Sequence, residues 1–306
     1  MFVVRLRKLF YVLSAILIVV SVAAMIVYGF NVGIDFKGGA ISKVSYPNGR
    51  PDQALVKAEV DKLGQSIALG GYVLQPAGTS AFDIRTRDLT PVEKESLDKA
   101  LGLNGTVEIK QDSYNSIGPS IGAELRSKAL KAIALVIVCI VLFITYAFRK
   151  VSEPVASWKY GLATVVALIH DVIIPTGIFI IFIHFRGGEI DTLFVSAILA
   201  ILGFSVHDTI VVFDRVRENL RLNREERSKE QFPETVGKSL SQTFGRSINT
   251  SLTIFLVLLA LFFLGGSTTK DFAFVLILGI VTGTYSSIFV ASPLLVTLFK
   301  IQEKKS

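Results

Sequence analysis

The sequence predicts a membrane-embedded, all-α bundle of six helices with one small α+β domain inserted after the first helix. Three observations support this fold class. Hydrophobic residues make up 51% of the 306-residue chain. Six apolar runs approach or exceed the roughly 20 residues that a helix needs to cross a bilayer. Residues 31–124 interrupt these runs with a polar stretch that is too long for a loop and long enough for a small domain.

The predicted spans follow the apolar runs along the chain. They cover residues 9–30, 125–148, 160–182, 193–213, 248–264 and 272–299. Arg5, Arg7 and Lys8 precede the first run as they would in a secretory signal. Its apolar stretch exceeds the usual ~7–15 residues of such a signal, so we expect an uncleaved anchor.

Basic residues predict the orientation and the domain organisation. The net charge of the chain is +7. Basic residues cluster in alternate connections between the spans, whereas the short loops on the opposite side contain only two basic residues, Arg186 and Lys270. Basic loops lie on the cytoplasmic side, so we expect both termini there and no nucleic-acid partner. The predicted parts are 1–30 with the first span, 31–124 outside the cytoplasm, and 125–306 with five spans and a cytoplasmic loop at 214–245.

The polar stretch 31–124 carries the pattern of a small folded domain. Strands are predicted at 40–46, 71–75, 81–86 and 106–111, and helices at 51–63 and 90–101. The order βαββαβ is that of a ferredoxin-like domain. Thr90 and Pro91 form a helix start, and Leu55, Ala58 and Leu63 form the expected apolar face of the first helix. This domain shows no spacing typical of a catalytic site.

Two aspartates and one arginine lie within or at the ends of apolar runs. Asp208 lies in the fourth span, Asp171 lies in the third, and Arg246 precedes the fifth. A charged side chain at the bilayer centre costs on the order of 2.5 to 3.5 kcal/mol, so these residues indicate function. We interpret Asp208 as a carboxylate that exchanges a proton beside Arg246. The alternatives are a fixed ion pair joining two helices and, for Asp171, hydrogen bonds to its neighbours.

His207 and Asp208 are adjacent, and the pair His170 and Asp171 echoes them in the third span. Adjacent residues on a helix point about 100° apart and cannot easily bind one ion, so no metal site is expected. The one cysteine, Cys139, lies in an apolar stretch and has no partner for an internal disulfide. Neither a cofactor nor a metal is predicted.

Three motifs together resemble the SecF family, which provides the smaller membrane subunit of the SecD-SecF protein-export complex. They are residues 33–39, 117–119 and 206–219, and the similarity extends over essentially the whole chain. The motif residues that we single out are Asp35, Gly38, Gly39, Gly118, Pro119, Asp214, Arg215, Arg217 and Glu218. Considered alone, the glycines predict only tight turns.

The resemblance implies a non-enzymatic accessory translocase of the resistance-nodulation-division superfamily in the bacterial inner membrane. Such a protein uses the proton motive force to promote export of unfolded polypeptides. Its implied partners are SecD, the SecYEG channel, a YajC-type small subunit and membrane lipids. The family's proton-pathway residues correspond to Asp208 and Arg246, and an aspartate of the third span corresponds to Asp171. His207 replaces the family's usual asparagine and adds a titratable group beside the relay.

Two other functions remain open from the sequence. One is a proton-coupled exporter of small molecules or lipids from the same superfamily, although those proteins usually carry two such bundles in one chain. The other is an intramembrane aspartyl protease that would use Asp171 and Asp208 together. The Gly-x-Gly-Asp pattern of such proteases is absent around Asp208.

Overall fold

A computed structural model describes residues 2–67, 69–149 and 155–303, and at positions 267 and 268 it describes the backbone alone. The chain forms two compact units. One contains Met1–Asn31 and Lys131–Ser306, and the other is the continuous segment Val32–Leu130. The first is helical, and the second contains the sheet.

Six helices of the described chain are long and apolar enough to cross a membrane. After the short α1 (Phe2–Arg5), they are α2 (Arg7–Tyr28), α6 (Pro119–Ala147), α7 (Ser157–Arg186), α8 (Thr192–Glu225), α9 (Phe232–Leu264) and a last span made of α10 (Ser267–Ser286), a π-helical turn (Ser287–Ala291) and α11 (Ser292–Glu303). All six predicted spans are therefore present. Several of the helices continue beyond their apolar runs into polar sequence.

The six helices differ in how much of their surface the protein covers. Half or more of the most apolar stretch is buried in α7, α8 and the last span, whereas only 6% is buried in α6. Large apolar side chains such as Leu135, Leu142 and Phe143 are exposed on α6. A helix whose apolar surface faces outward suits hydrocarbon, because all of its backbone hydrogen bonds are internal. The third, fourth and sixth spans therefore form the centre of the helical unit.

Small residues allow the central helices to approach closely. A Cβ atom at Gly279 of α10 would overlap the side chain of Ile201 on α8, and one at Gly177 of α7 would overlap Ser21 on α2. Close backbone approach at small residues is typical of helix pairs in membranes, where packing replaces the hydrophobic driving force. These contacts fix α7 and α8 against their neighbours.

The last span widens into a π turn at Ser287–Ala291, just before Pro293. Proline lacks an N–H and cannot continue the α-helical ladder, so the turn must satisfy its carbonyls in another way. The Ser292 hydroxyl donates to the carbonyl of Ser287 at 2.7 Å. The π turn also brings Ser286 and Ser287, two consecutive hydroxyls, into the protein interior.

The second unit contains a four-stranded antiparallel sheet and two longer helices. Its elements are α3 (Ile34–Lys37), β1 (Gly39–Ser45), α4 (Gln53–Ser66), β2 (Val73–Ala77), β3 (Ala81–Thr86), α5 (Pro91–Leu101), a 3-10 turn (Leu103–Gly105) and β4 (Lys110–Ile117). The strand order is β2-β3-β1-β4. Val44 and Ile84 of the sheet and Val60 and Leu97 of the helices belong to one buried cluster, so both helices cover the same face.

Side chains cap the starts of both longer helices in this unit, and Thr90 is the cap that the sequence predicted. The Thr90 hydroxyl accepts a hydrogen bond from the Glu93 backbone N–H, and the Thr90 backbone N–H donates to the Glu93 carboxylate. Asp52 accepts from Ala54 at the start of α4. Arg87 pairs with Glu93 and lowers the pKa of its carboxyl to about 2. The first turn of α5 is therefore held by a capping box and an ion pair together.

Two predictions about this unit were wrong in detail. The last strand occupies Lys110–Ile117 and not 106–111, because β4 is a polar edge strand without the apolar alternation that marks a buried one. The first helix buries Val56 and Val60, whereas Leu55 is 57% exposed and Ala58 is also exposed. Leu63 packs against the core as predicted, so the buried face consists of Val56, Val60 and Leu63.

The predicted loop at 214–245 is a helical hairpin. α8 continues to Glu225 and α9 begins at Phe232, so only six residues separate them. Asn219 donates to the Ser239 hydroxyl and Asn223 to that of Thr235, at 2.8 and 2.9 Å. Polar side chains thus hold the two helices together beyond the apolar runs.

Candidate functional site: two carboxylates inside the helical unit

Asp171 lies at the centre of the helical unit and is fully buried. The Nδ1 atom of His170 lies 2.8 Å from its Oδ1. The hydroxyls of Ser205 and Ser286 both donate to Oδ2, the latter at 2.6 Å. These three groups come from α7, α8 and α10. One carboxylate therefore joins three helices, and both of its oxygens are occupied.

His170 is the least expected member of this site. Its side chain is 2% exposed, and its ring stacks on Tyr285 with 5.8 Å between centroids. Tyr285 donates to the carbonyl of Phe10 and accepts from Ser14, so it contacts α2. Within the described chain the Nε2 atom of His170 has no hydrogen-bond partner. The sequence signal for His170 was that it forms, with Asp171, the same His-Asp pair as His207 and Asp208.

Asp208 lies one turn after Ser205 on α8 and is 5% exposed. Its Oδ2 atom is buried and has no hydrogen-bond partner among the described residues. Ser247 of α9 lies beside it, although the Ser247 hydroxyl does not reach hydrogen-bond geometry. Asp208 is close enough to Asp171 for the two to interact electrostatically. A buried carboxylate oxygen without a hydrogen-bond donor is costly if the group is charged.

The predicted pairing of Asp208 with Arg246 is not present in the structure. Arg246 is exposed on α9, and none of the ion pairs in the described regions joins it to Asp208. The adjacent residue, Ser247, faces the interior. Successive residues on a helix point about 100° apart, so only one of the two can face α8. The buried side of α9 includes a stripe of hydroxyls: Thr235, Ser239, Thr243, Ser247 and Ser251.

His207 also points away from the predicted site. Its side chain is exposed, while Asp208 next to it is buried. The imidazole that contacts a carboxylate inside the unit is His170, which sequence reasoning mentioned but did not assign to the relay. Ser205 and Ser286 were also missed. The sequence signal for these two serines was a hydroxyl within an apolar run. Such a hydroxyl can bind a functional group or only fill space, and the sequence alone does not distinguish the two.

Hydroxyl contacts extend the polar interior along α8, α9 and the last span. The Thr209 and Ser287 hydroxyls lie 2.7 Å apart, and those of Ser251 and Thr284 lie 2.5 Å apart. Hydroxyls both donate and accept, so such pairs can pass a hydrogen bond from one helix to the next. Both carboxylates thus lie in a polar interior rather than in an isolated apolar pocket.

The glycine motifs lie in the second unit and pack against each other. Gly38 and Gly39 have φ angles of +77° and +134°, which favour glycine. A Cβ atom at Gly38 would lie 2.8 Å from the Cα of Pro119, and one at Gly122 would lie 2.8 Å from the Gly38 nitrogen. The segment around Gly118 therefore meets the turn after Asp35 backbone to backbone. These glycines allow close packing in addition to the turn that was predicted.

The charged motif at the end of α8 forms local ion pairs. Asp214 pairs with Arg217, and Arg215 pairs with Glu218 at 2.6 Å. All four are partly or largely exposed. Exposed pairs three residues apart contribute roughly 0.5 kcal/mol or less, so they support the helix more than they define a site.

Comparisons with known proteins give a consistent set of relatives. Residues 98–301 match the family model described as protein export membrane protein SecD/SecF, C-terminal. The protein translocase subunit SecF of Thermobaculum terrenum is 40% identical over 96% of this chain and 93% of its own length. That of Sebaldella termitidis is 36% identical over 97% and 91%.

Solved structures agree with these sequence relatives. The crystal structure of SecDF, a translocon-associated membrane protein from Thermus thermophilus, is 30% identical with a TM-score of 0.79 and covers 96% of this chain. A structure of SecDF in a super-membrane-facing form has a TM-score of 0.64. The chain corresponds to 38% of the SecDF chain, so it spans well under half of that longer protein.

Proposed function

Because this chain belongs to the SecF family of protein translocase subunits, we propose that it uses the proton motive force to promote export of unfolded polypeptides. Its relatives are named as translocase subunits, which places it in Sec protein transport as a multi-pass membrane protein. A SecD-type protein is its partner, as the SecDF structures indicate. The SecYEG channel, a YajC-type subunit and lipids complete the proposed assembly.

One observation supports the proton-coupled mechanism above all others. Asp208 is buried within a membrane helix, and one of its oxygens lacks a donor among the described residues. A protonated carboxylic acid satisfies that geometry, and loss of its proton leaves a charge that must find a new partner. Proton binding and release at Asp208 therefore favour different arrangements of the surrounding helices.

Arg246 is the proposed partner of the charged state. The structure has the two groups apart, which fits the protonated acid. Loss of the proton attracts the guanidinium of Arg246 toward Asp208, and a rotation of α9 moves Ser247 out of the way. Each proton that crosses 100 mV provides about 2.3 kcal/mol, so a few protons suffice for an appreciable movement of helices.

The outer face of α8 and α9 is the proposed surface for the SecD-type partner. His207, Arg246, Asn249 and Thr250 are exposed there, within or next to apolar runs. Polar side chains at membrane depth are unfavourable against lipid and favourable against another protein. His207 then lies between the subunits and adjusts the relay from that side.

The remaining parts of the proposal concern orientation and fold. The basic connections support cytoplasmic termini, with the second unit on the opposite side of the membrane. The strand order β2-β3-β1-β4 with antiparallel neighbours supports the ferredoxin-like assignment of that unit. No enzymatic step is part of this mechanism.

The decisive variant is Asp208→Asn, which keeps the size and polarity of the side chain and removes its exchangeable charge. It is expected to co-purify with the SecD-type partner and to lose the stimulation of export by a proton gradient. The assay is uptake of a model precursor by membrane vesicles with and without an uncoupler. Glu225→Gln is the matched control, because it removes a carboxylate from the exposed end of the same helix. Normal gradient-dependent export by Asp208→Asn would refute the mechanism.

A further inference from the structure

His170 has the geometry of a residue that passes protons. Its Nδ1 atom contacts the Asp171 carboxylate at 2.8 Å, while its Nε2 atom is buried without a partner in the described chain. A histidine that serves only to hold a helix in place normally uses both nitrogens when it is buried, because an unpaired polar atom costs free energy. Here one nitrogen is engaged and the other remains open.

The imidazole is suited to proton transfer because its two nitrogens can accept and release in turn. Asp171 already accepts hydrogen bonds from Ser205 and Ser286 as well as from His170, so its oxygens are covered by donors. Oδ2 is contacted by both hydroxyls, although the single proton of Ser286 can also be donated to the Gly283 carbonyl at 3.0 Å. Among the described residues, His170 is the hydrogen-bond partner of Oδ1. The imidazole is therefore the group placed to deliver a proton to Oδ1.

We propose that His170 is the proton-transfer residue of Asp171, and that the two form a second proton-binding site beside Asp208. Nε2 is buried, so a movement of the surrounding helices must first admit water to it; a proton from that water then binds Nε2 and gives the imidazolium. The Nδ1 proton then passes to Oδ1 of Asp171, which leaves a neutral carboxylic acid and a neutral imidazole protonated at Nε2. Release follows the reverse path. This inference rests on the proposed function, since it supplies protons to the same relay.

The surroundings of His170 contain few other titratable groups. Asp208 on α8 interacts with Asp171, and Tyr285 on α10 stacks on the imidazole. On α2, residues 9–28 include no charged side chain, and Tyr11 bonds to Thr297 of α11. The charged groups of α11 lie near its end, beginning at Lys300. The pH response of this site therefore depends on the histidine and the two aspartates.

The stack on Tyr285 connects this site to the first span. Tyr285 bonds to Phe10 and Ser14 of α2, and α2 leads along the chain into the second unit. A positive charge on the imidazole changes its contact with the tyrosine ring. Protonation of His170 is thereby transmitted to the helix that precedes the inserted domain.

The discriminating variant is His170→Asn, tested in the full chain with its SecD-type partner in proteoliposomes. The asparagine amide can replace the Nδ1 hydrogen bond to Asp171, but it cannot pass a proton. We expect normal assembly and a fall in gradient-driven export on the order of tenfold, with a changed dependence on pH. His184→Gln is the control, since His184 is exposed near the end of the same helix. Wild-type rates for His170→Asn at every pH would overturn the proposal.

A second measurement keeps the inference testable if His170→Asn does not fold. The chain has three histidines, so His184→Gln with His207→Gln leaves His170 as the only one. Nitrogen-15 NMR of that chain, in lipid with its SecD-type partner, should show Nε2 of His170 changing protonation as the pH is varied. A single unchanging tautomer would overturn the proposal. Failure of Asp208→Asn to affect export would instead refute the proposed function, so the two failures are distinguishable.

Discussion

Asp171 and Asp208 are both aspartates inside neighbouring helices, yet their surroundings are opposite. Asp171 receives donors from three helices and has both oxygens occupied. Asp208 has a buried oxygen without a partner in the described regions. The donors of Asp171 are already in place around it, whereas the surroundings of Asp208 leave one of its oxygens unpaired. The difference shows that the position of an acid within an apolar run does not determine its environment, because the donors come from neighbouring helices.

The largest expected effect is the difference in stability lost when each of the two acids is replaced by alanine. Asp171→Ala leaves three donors without their acceptor, and hydrogen bonds between membrane helices average about 0.6 kcal/mol, so a loss of roughly 2 kcal/mol is expected. Asp208→Ala removes no hydrogen bond of this kind and should cost much less. Equilibrium unfolding of the full-length chain in detergent measures both. Equal losses would show that the two sites are not different in the way described.

The next effect concerns the packing of α7 against α2, on the face of α7 that carries His170. Gly177 lies seven residues after His170 and therefore on a similar face. A methyl group at Gly177 would overlap Ser21, including its backbone. Gly177→Ala should destabilise the chain by about 1 kcal/mol, because neither helix can retreat without losing other contacts.

The matched control for this variant is Gly203→Ala on α8. A Cβ atom there meets nothing within 4 Å, so the change should stabilise the helix slightly through its higher propensity. Thermal unfolding of both proteins in the same detergent gives the comparison. A gain in stability for Gly177→Ala would mean that α2 is not held tightly against α7, and the connection from His170 to the first span would lose its support.

The smallest effect concerns Glu93, an acid of the second unit. The pKa of Glu93 is lowered from 4.5 to about 2 by Arg87 and the capping hydrogen bonds. A lowered pKa contributes stability that is complete above pH 4.5 and is lost as the pH falls toward 2. The protection factors of the α5 amides in the full chain, which are corrected for the intrinsic pH dependence of exchange, should therefore fall over that range, and Glu93→Gln should weaken this pH dependence. An unchanged profile in Glu93→Gln would contradict the assignment.

The sequence predicted the large features because they depend on composition. Apolar runs of sufficient length identified all six helices that are long and apolar enough to cross a membrane, and Thr90 with Pro91 identified the start of α5. The two buried aspartates were found because charge in an apolar run is rare. These signals are local, and no knowledge of neighbouring helices was needed to interpret them.

The wrong predictions concern which side chains face inward, and this depends on how each helix is rotated and on which helices pack against it. Arg246 and Ser247 differ by one position, and only packing against α8 decides that the serine faces inward. His207 and His170 both precede an aspartate, yet His207 is exposed and His170 is only 2% exposed. The edge strand β4 lacked the alternation that reveals buried strands. Sequence periodicity cannot resolve a shift of one residue when polar side chains are sparse.

The hydrogen-bond donors to Asp171 come from three different helices, and this has a consequence for the assembly of the helices during biogenesis. Ser286, which completes the set, lies on a helix that follows the other two in the sequence. Until that helix has packed against them, the acid on α7 lacks one of its ligands. Correct packing of α10 during biogenesis therefore satisfies a polar group that the two earlier helices leave open.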